Sequence, residues 1–155
     1  MKGNDKIITQ LNARLSEELT AVNQYFVHAE MCDNWKYARL HEVIRKRAIV
    51  EMKHAEKLIE RILFLEGIPI VSNLGLISIG AEVQEMHKHD LDAENSAVKG
   101  YNETIKLAAE LMDNGTKDLL ESILDDEEGH VDWIEAQFDQ IKQVGIQNYL
   151  TEQIR

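Results

Sequence analysis

Two short strings in this chain carry chemistry: Glu51-Met-Lys-His54 and Glu127-Glu-Gly-His130. On a helix, residues three apart share a face. Each string therefore sets a carboxylate beside an imidazole. Two further glutamates, Glu18 and Glu94, stand in the middle of other apolar stripes. Written at three- and four-residue steps, the stripes are Ile8, Leu11, Leu15, Glu18, Val22, Tyr25, Ala29; Leu40, Ile44, Arg47, Glu51, His54, Leu58, Ile62, Leu65; Val83, His87, Asp90, Glu94, Ala97, Tyr101, Ile105, Ala108; and Leu120, Ile123, Glu127, His130, Ile134, Phe138, Ile141. A carboxylate interrupts each stripe near its centre.

One E-x-x-H string alone reads as a solvated helix face. Two copies, with two more glutamates at matching depth, read differently. An uncompensated buried charge costs several kcal/mol, so four carboxylates in one core must either take up protons or hold cations. Four Glu carry −4 and two divalent cations carry +4, and two imidazoles add one neutral ligand for each ion. That donor set suits iron, manganese or zinc better than calcium. Bridging carboxylates can set two such ions about 3.5–4 Å apart. Tyr25 and Tyr101 each follow a stripe glutamate by seven residues. They read either as core packing or as hydrogen-bond donors to a ligand.

These side chains need long helices to bring them together. One Pro and eight Gly in 155 residues leave few breaks. The punctuation predicts helices over about 5–33, 35–66, 81–113 and 116–144, with a short terminal one over about 146–155. Gly67 and Pro69 stop the second helix, Asn114-Gly115 marks a turn, and Gly145 ends the fourth. The expected fold is an all-α four-helix bundle, one domain over residues 1–155, with a long connection between helices 2 and 3. Short links make each flanking pair antiparallel, and the long link allows the second and third helices to run parallel.

Composition narrows the function. The formal net charge of −11 speaks against nucleic acid and favours cations. The single Cys32 excludes an internal disulfide and a cysteine-built zinc or iron–sulfur site. Cys32, Trp35 and Trp133 read as packing residues. No apolar run reaches the roughly 18 residues of a membrane span, and the start lacks the apolar centre of a signal peptide. The expected location is the cytoplasm.

The residues Glu18, Glu51, His54, Glu94, Glu127 and His130, with stretches such as Glu18-Leu-Thr-Ala-Val-Asn-Gln-Tyr25, Asp126-Glu-Glu-Gly-His-Val-Asp-Trp133 and Gln147-Asn-Tyr-Leu150, resemble the bacterioferritins over essentially the whole chain. The six match the Glu-plus-E-x-x-H pattern of ferritin-like di-iron proteins. The resemblance implies an iron-storing ferroxidase. Glu18 and His54 would hold one iron, Glu94 and His130 the other, and Glu51 and Glu127 would bridge them. Fe(II) would be oxidised by dioxygen or hydrogen peroxide and stored in a hollow cage of 24 chains, built from this chain alone or with a sister chain. A ferredoxin-type protein would supply electrons for release.

The same resemblance implies haem b shared between two chains, with Met52 of each as axial ligand. Met52 cannot share the face of Glu51, because one helical step turns about 100°. It falls on a second ridge with Ile49, Ile59 and Leu63, facing a two-fold interface. Leu19, Asn23, Phe26 and Ile49 would line the pocket. Some members place His and Asp where this chain has Lys46 and Val50, so an inner-surface iron site is not expected. Arg45 and Arg47 also depart from the common pattern. Asn148 matches a channel-lining position. The alternatives are a haem-free ferritin and a di-iron peroxidase of rubrerythrin type; a fused rubredoxin domain is excluded by the lone cysteine. A DNA-protecting cage fits poorly, since those place their ligands between subunits.

Overall fold

The computed structural model describes residues 1–155 as five helices and no strand. They are α1 (Asp5–Asn34), α2 (Ala38–Phe64), α3 (Val83–Glu110), α4 (Asn114–Val144) and α5 (Ile146–Glu152). α1 packs on α2 and α3, α4 packs on α3 and touches α2, and α5 folds back onto α4. The all-helical bundle expected from the stripes is therefore the fold observed. No helix is long and apolar enough to cross a membrane.

The helix ends follow capping chemistry more closely than the sequence reading did. α1 starts at Asn4, whose side chain accepts the Lys6 N–H at 2.8 Å, satisfying a donor that the first turn leaves open. α1, α2 and α3 all stop in the same way. A residue with a side chain takes the left-handed conformation: Lys36 (φ 66°), Glu66 (φ 62°) and Met112 (φ 58°). The next N–H then reaches back five residues: Tyr37 to Cys32, Gly67 to Ile62, Asp113 to Ala108, at 2.8–2.9 Å. This is the Schellman closure, made here without glycine at a cost of roughly 1–2 kcal/mol per turn.

Three expected boundaries are corrected by it. Trp35 does not open α2, because the Lys36 turn delays that helix to Ala38. Gly67 is one place past the left-handed residue. It is glycine because a Cβ there would lie 2.7 Å from Ile8 Cγ2. Asn114-Gly115 is no turn but the first turn of α4, capped by Asp113, which accepts the Thr116 N–H at 3.0 Å. α3 begins at Val83 rather than Ala81.

The connection from Ile68 to Gly80 has no regular structure, and six of its backbone groups are hydrogen-bonded by side chains of α1. A file of side chains four apart on α1 pins it. Asn12 bonds Ile68 and Ile70, Ser16 the Asn73 carbonyl, Thr20 the Gly75 N–H, Gln24 the Ser78 N–H, and His28 the Gly80 N–H. The strap thus travels the length of α1. It delivers α3 to the end of the bundle where α2 begins, so α2 and α3 run parallel.

The apolar core lies in two pieces. Ile7, Leu11, Leu15, Leu58, Ile62 and Leu120 fill one end; Ala29, Cys32, Leu40, Ile44, Met86 and Ile141 fill the other. Each fully buried Leu or Ile is worth about 1.5–3 kcal/mol, and these layers support a polar one between them. Two stripe positions shift. Ile7, not Ile8, is the buried residue, and in α4 Gln137 is buried where Phe138 is only half-buried. Gln137 accepts the Tyr149 hydroxyl at 2.8 Å, which fastens α5. Trp35 lies at the surface, edge-on to Tyr37, whereas Cys32 is buried.

Candidate metal centre

Glu18 comes from α1, Glu51 and His54 from α2, Glu94 from α3, and Glu127 and His130 from α4. Glu18, Glu51, His54, Glu94 and Glu127 are each 1% exposed, and His130 is half-buried. Their donor atoms converge as two overlapping groups: Glu18, Glu51, His54 and Glu127, and Glu51, Glu94, Glu127 and His130. In each, the atoms lie within 4.8 Å of one another. Glu51 and Glu127 belong to both.

His54 Nδ1 sits 3.5 Å from Glu18 Oε2, 3.4 Å from Glu51 Oε2 and 3.3 Å from Glu127 Oε1. His130 Nδ1 sits 2.9 Å from Glu51 Oε1, 3.2 Å from Glu94 Oε1 and 3.5 Å from Glu127 Oε1. Of these contacts only His130 Nδ1 with Glu94 Oε1 is a hydrogen bond. Glu18 Oε2, both Glu51 oxygens, His54 Nδ1, Glu94 Oε2 and Glu127 Oε1 are buried without a hydrogen-bond partner. Buried polar atoms are ordinarily satisfied. Six orphans aimed at one space are what ligands to cations look like.

The other oxygens of Glu94 and Glu18 are satisfied. Tyr25 Oη donates to Glu94 Oε1 at 2.6 Å, and Tyr101 Oη donates to Glu18 Oε1 at 2.5 Å. Each tyrosine thus serves the glutamate of the other helix. His54 Nε2 donates to Asp126 Oδ2 at 2.8 Å. This leaves Nδ1 free to act as a neutral ligand, the arrangement usual for metal-bound histidine. Asp126 is not among the site residues the sequence singles out, because it lies off the inward stripe and is half exposed.

Without a cation the cluster can balance its charge only by protons. Burial and the neighbouring Glu51 push the Glu18 carboxyl well above the usual carboxylate range. Burial, with Glu51 again, takes Glu94 up to about 8. Burial opposes a charge on His130, but the Glu127, Glu51 and Glu94 carboxylates around its Nδ1 outweigh it and carry the ring up to about 11. His54 moves the same way for the same reason.

A second buried polar group stands beside the first. Asp90 accepts from Gln24 Nε2 at 2.8 Å, His28 Nδ1 at 2.9 Å and Arg47 Nη1 at 3.1 Å. The Gly80 N–H donates to His28 Nε2, so the His28 proton sits on Nδ1, facing Asp90. The Arg47 guanidinium lies 5.0 Å from the Tyr25 ring centre and 5.3 Å from that of Trp133. Lys46, in contrast, pairs with Glu42 on the surface, and Val50 is half-buried.

On the outward face of α2, Met52 is 42% and Leu63 is 58% exposed, with Ile49 and Ile59 half-buried beside them. The second apolar ridge is thus present at the surface.

The chain is similar to known proteins over nearly its full length. A family model described as a ferritin-like domain matches residues 8–144. The bacterioferritin of Brucella melitensis is 41% identical over 96% of this chain and 92% of its own. That of Rhodobacter capsulatus is 42% identical with the same coverage. That of Mycolicibacterium paratuberculosis is 38% identical over 96% of this chain and 94% of its own. With the helical bundle and its carboxylate–imidazole layer, these likenesses place the chain in the ferritin-like family, among the bacterioferritins, as an iron-storing ferroxidase.

Proposed function

We propose that Glu18, Glu51, His54, Glu94, Glu127 and His130 form the ferroxidase centre, with Glu51 and Glu127 shared between two iron positions. The observation that carries this reading is the set of orphaned buried oxygens common to both donor groups. Two bound Fe(II) ions supply one electron each, enough to take dioxygen and two protons to hydrogen peroxide, or hydrogen peroxide and two protons to two waters. The side chains do the rest. The four carboxylates offset the charge of two divalent ions, which lets both sit in a layer closed to bulk water. Tyr25 and Tyr101 fix the direction in which Glu94 and Glu18 present their free oxygens. Asp126 keeps His54 in the tautomer that offers a lone pair.

Anaerobic loading with Fe(II) followed by air tests the centre. The expected first phase consumes about two irons per chain, the stoichiometry of a two-metal site. Glu18→Ala and His130→Ala should each slow it by about tenfold or more. Unchanged kinetics in both variants would refute the assignment.

The acidic chain is expected to assemble, alone or with a sister chain, as a cage of 24, in which a negative interior concentrates Fe(II). It would act as one ferritin-like domain in the cytoplasm, with a ferredoxin-type donor returning electrons. Dioxygen and hydrogen peroxide both fit as oxidant. Met52, 42% exposed on α2, would hold the haem iron through its thioether at a two-fold interface. Leu19, Asn23, Phe26 and Ile49 would surround the ring. Protein expressed with ample haem should show a Soret band that Met52→Leu removes or shifts strongly; an identical spectrum in the variant argues for a haem-free ferritin.

A further inference from the structure

A cavity of about 220 Å³ opens beside the centre, under the strap at Gly75 and Leu76. Five carboxylates line it: Glu17, Glu18, Glu51, Glu94 and Glu127. Four are sealed from solvent, each 1% exposed. Glu17 alone reaches out, with 32% of its side chain exposed. It is therefore the one acid that touches both the solvent and the space into which the orphaned oxygens of Glu18 and Glu94 point.

Glu17 is held rather than loose. Its Oε1 accepts from Arg14 Nη2 at 2.8 Å, and Arg14 Nη1 donates to Thr104 Oγ1 at 3.1 Å. The guanidinium lies in a notch on α3 that exists because residue 100 is glycine; a Cβ there would come within 2.4 Å of Arg14 Cζ. A glycine inside a helix costs about 1 kcal/mol relative to alanine, and here it seats the arginine. Glu17 Oε2 is left buried and unpartnered.

We infer that Glu17 is the relay carboxylate for the substrate: its buried free oxygen draws Fe(II) inward from the mouth of the cavity and passes it to the adjacent Glu18. Its one free oxygen attracts the ion. The Arg14 charge on its other oxygen keeps that hold weak, so iron does not lodge there. Glu17 is a conducting residue and no ligand of the centre. This rests on the ferroxidase reading above.

The test is the initial rate of Fe(II) oxidation by the assembled protein as a function of Fe(II), for wild type, Glu17→Gln and Glu103→Gln. Glu103 is an exposed acid close enough to Glu17 to be felt by it, yet it does not line the cavity. Glu17→Gln should raise the half-saturating Fe(II) concentration by about fivefold, with the limiting rate within about twofold, because local charge governs capture and not the oxidation step. Glu103→Gln should match wild type. An unchanged half-saturation in Glu17→Gln overturns the inference, as does an equal shift in both variants, which would mark a general charge effect. A lower limiting rate at unchanged half-saturation also overturns it, by placing Glu17 in the chemistry. An inactive wild type would instead remove the ferroxidase reading itself.

Discussion

Glu51→Gln is expected to abolish the fast phase of Fe(II) oxidation, slowing it by about a hundredfold or more. The reason is that one side chain serves both donor groups. Its Oε1 lies 2.9 Å from His130 Nδ1 and its Oε2 lies 3.4 Å from His54 Nδ1. Glutamine keeps the volume but removes the negative charge and turns one oxygen into an N–H donor. On the proposed assignment both cation positions would lose an anionic ligand in one step, whereas Glu18→Ala or His130→Ala would damage one. A second readout does not depend on turnover. Under anaerobic conditions Fe(II) should raise the melting temperature of wild type, since a ligand that binds only the folded state stabilises it. The variant should gain much less. Oxidation at the wild-type pace would show that Glu51 is not shared.

Asp90→Ala should have the largest effect on stability, about 3–5 kcal/mol, because it leaves the buried Arg47 charge without its partner. Gln24 and His28 would lose an acceptor as well. For a chain of this size that loss lowers the melting temperature by about 10 °C. The double variant Arg47→Met with Asp90→Asn takes out both charges and should recover most of it. A loss no smaller in the double variant would show that the pair matters through shape and not through charge. The pH dependence has a definite sign. His28, Arg47 and Gln24 outweigh burial and hold the Asp90 carboxyl below its ordinary range. A depressed acid contributes its stabilisation above its unfolded pKa and loses it as pH falls through the folded one. Wild type should therefore lose this contribution only below the usual carboxylate range, and Asp90→Ala should show a flatter acid limb.

What could be read from the amino-acid order was whatever repeats along one helix. Glu51 with His54, and Glu127 with His130, stand three residues apart in stripes that are otherwise apolar, so both the bundle and the polar layer were legible. The crossed donors were half legible: Tyr25 and Tyr101 were visible as candidates, but that each serves the opposite helix depends on how α1 lies against α3. The Asp90–Arg47 pair joins residues 43 apart, and no local period announces it. Asp126 escaped because it approaches His54 from the rim of α4. One signal was present and unread. Asn12, Ser16, Thr20, Gln24 and His28 form an unbroken polar file at four-residue steps, and that file is the track on which the strap lies. Helix ends were misplaced where Lys36, Glu66 and Met112 adopt a conformation usually left to glycine.

The strap divides the chain into two antiparallel hairpins, and the six converging side chains divide the same way. α1 and α2 contribute Glu18, Glu51 and His54; α3 and α4 contribute Glu94, Glu127 and His130. Each donor group draws three members from one hairpin and its fourth, Glu127 or Glu51, from the other. An ion placed in either group is consequently gripped from both sides of the seam, so the cargo doubles as a rivet. Loading would clamp the halves of each subunit together, so the bundle would be stiffest while it holds iron.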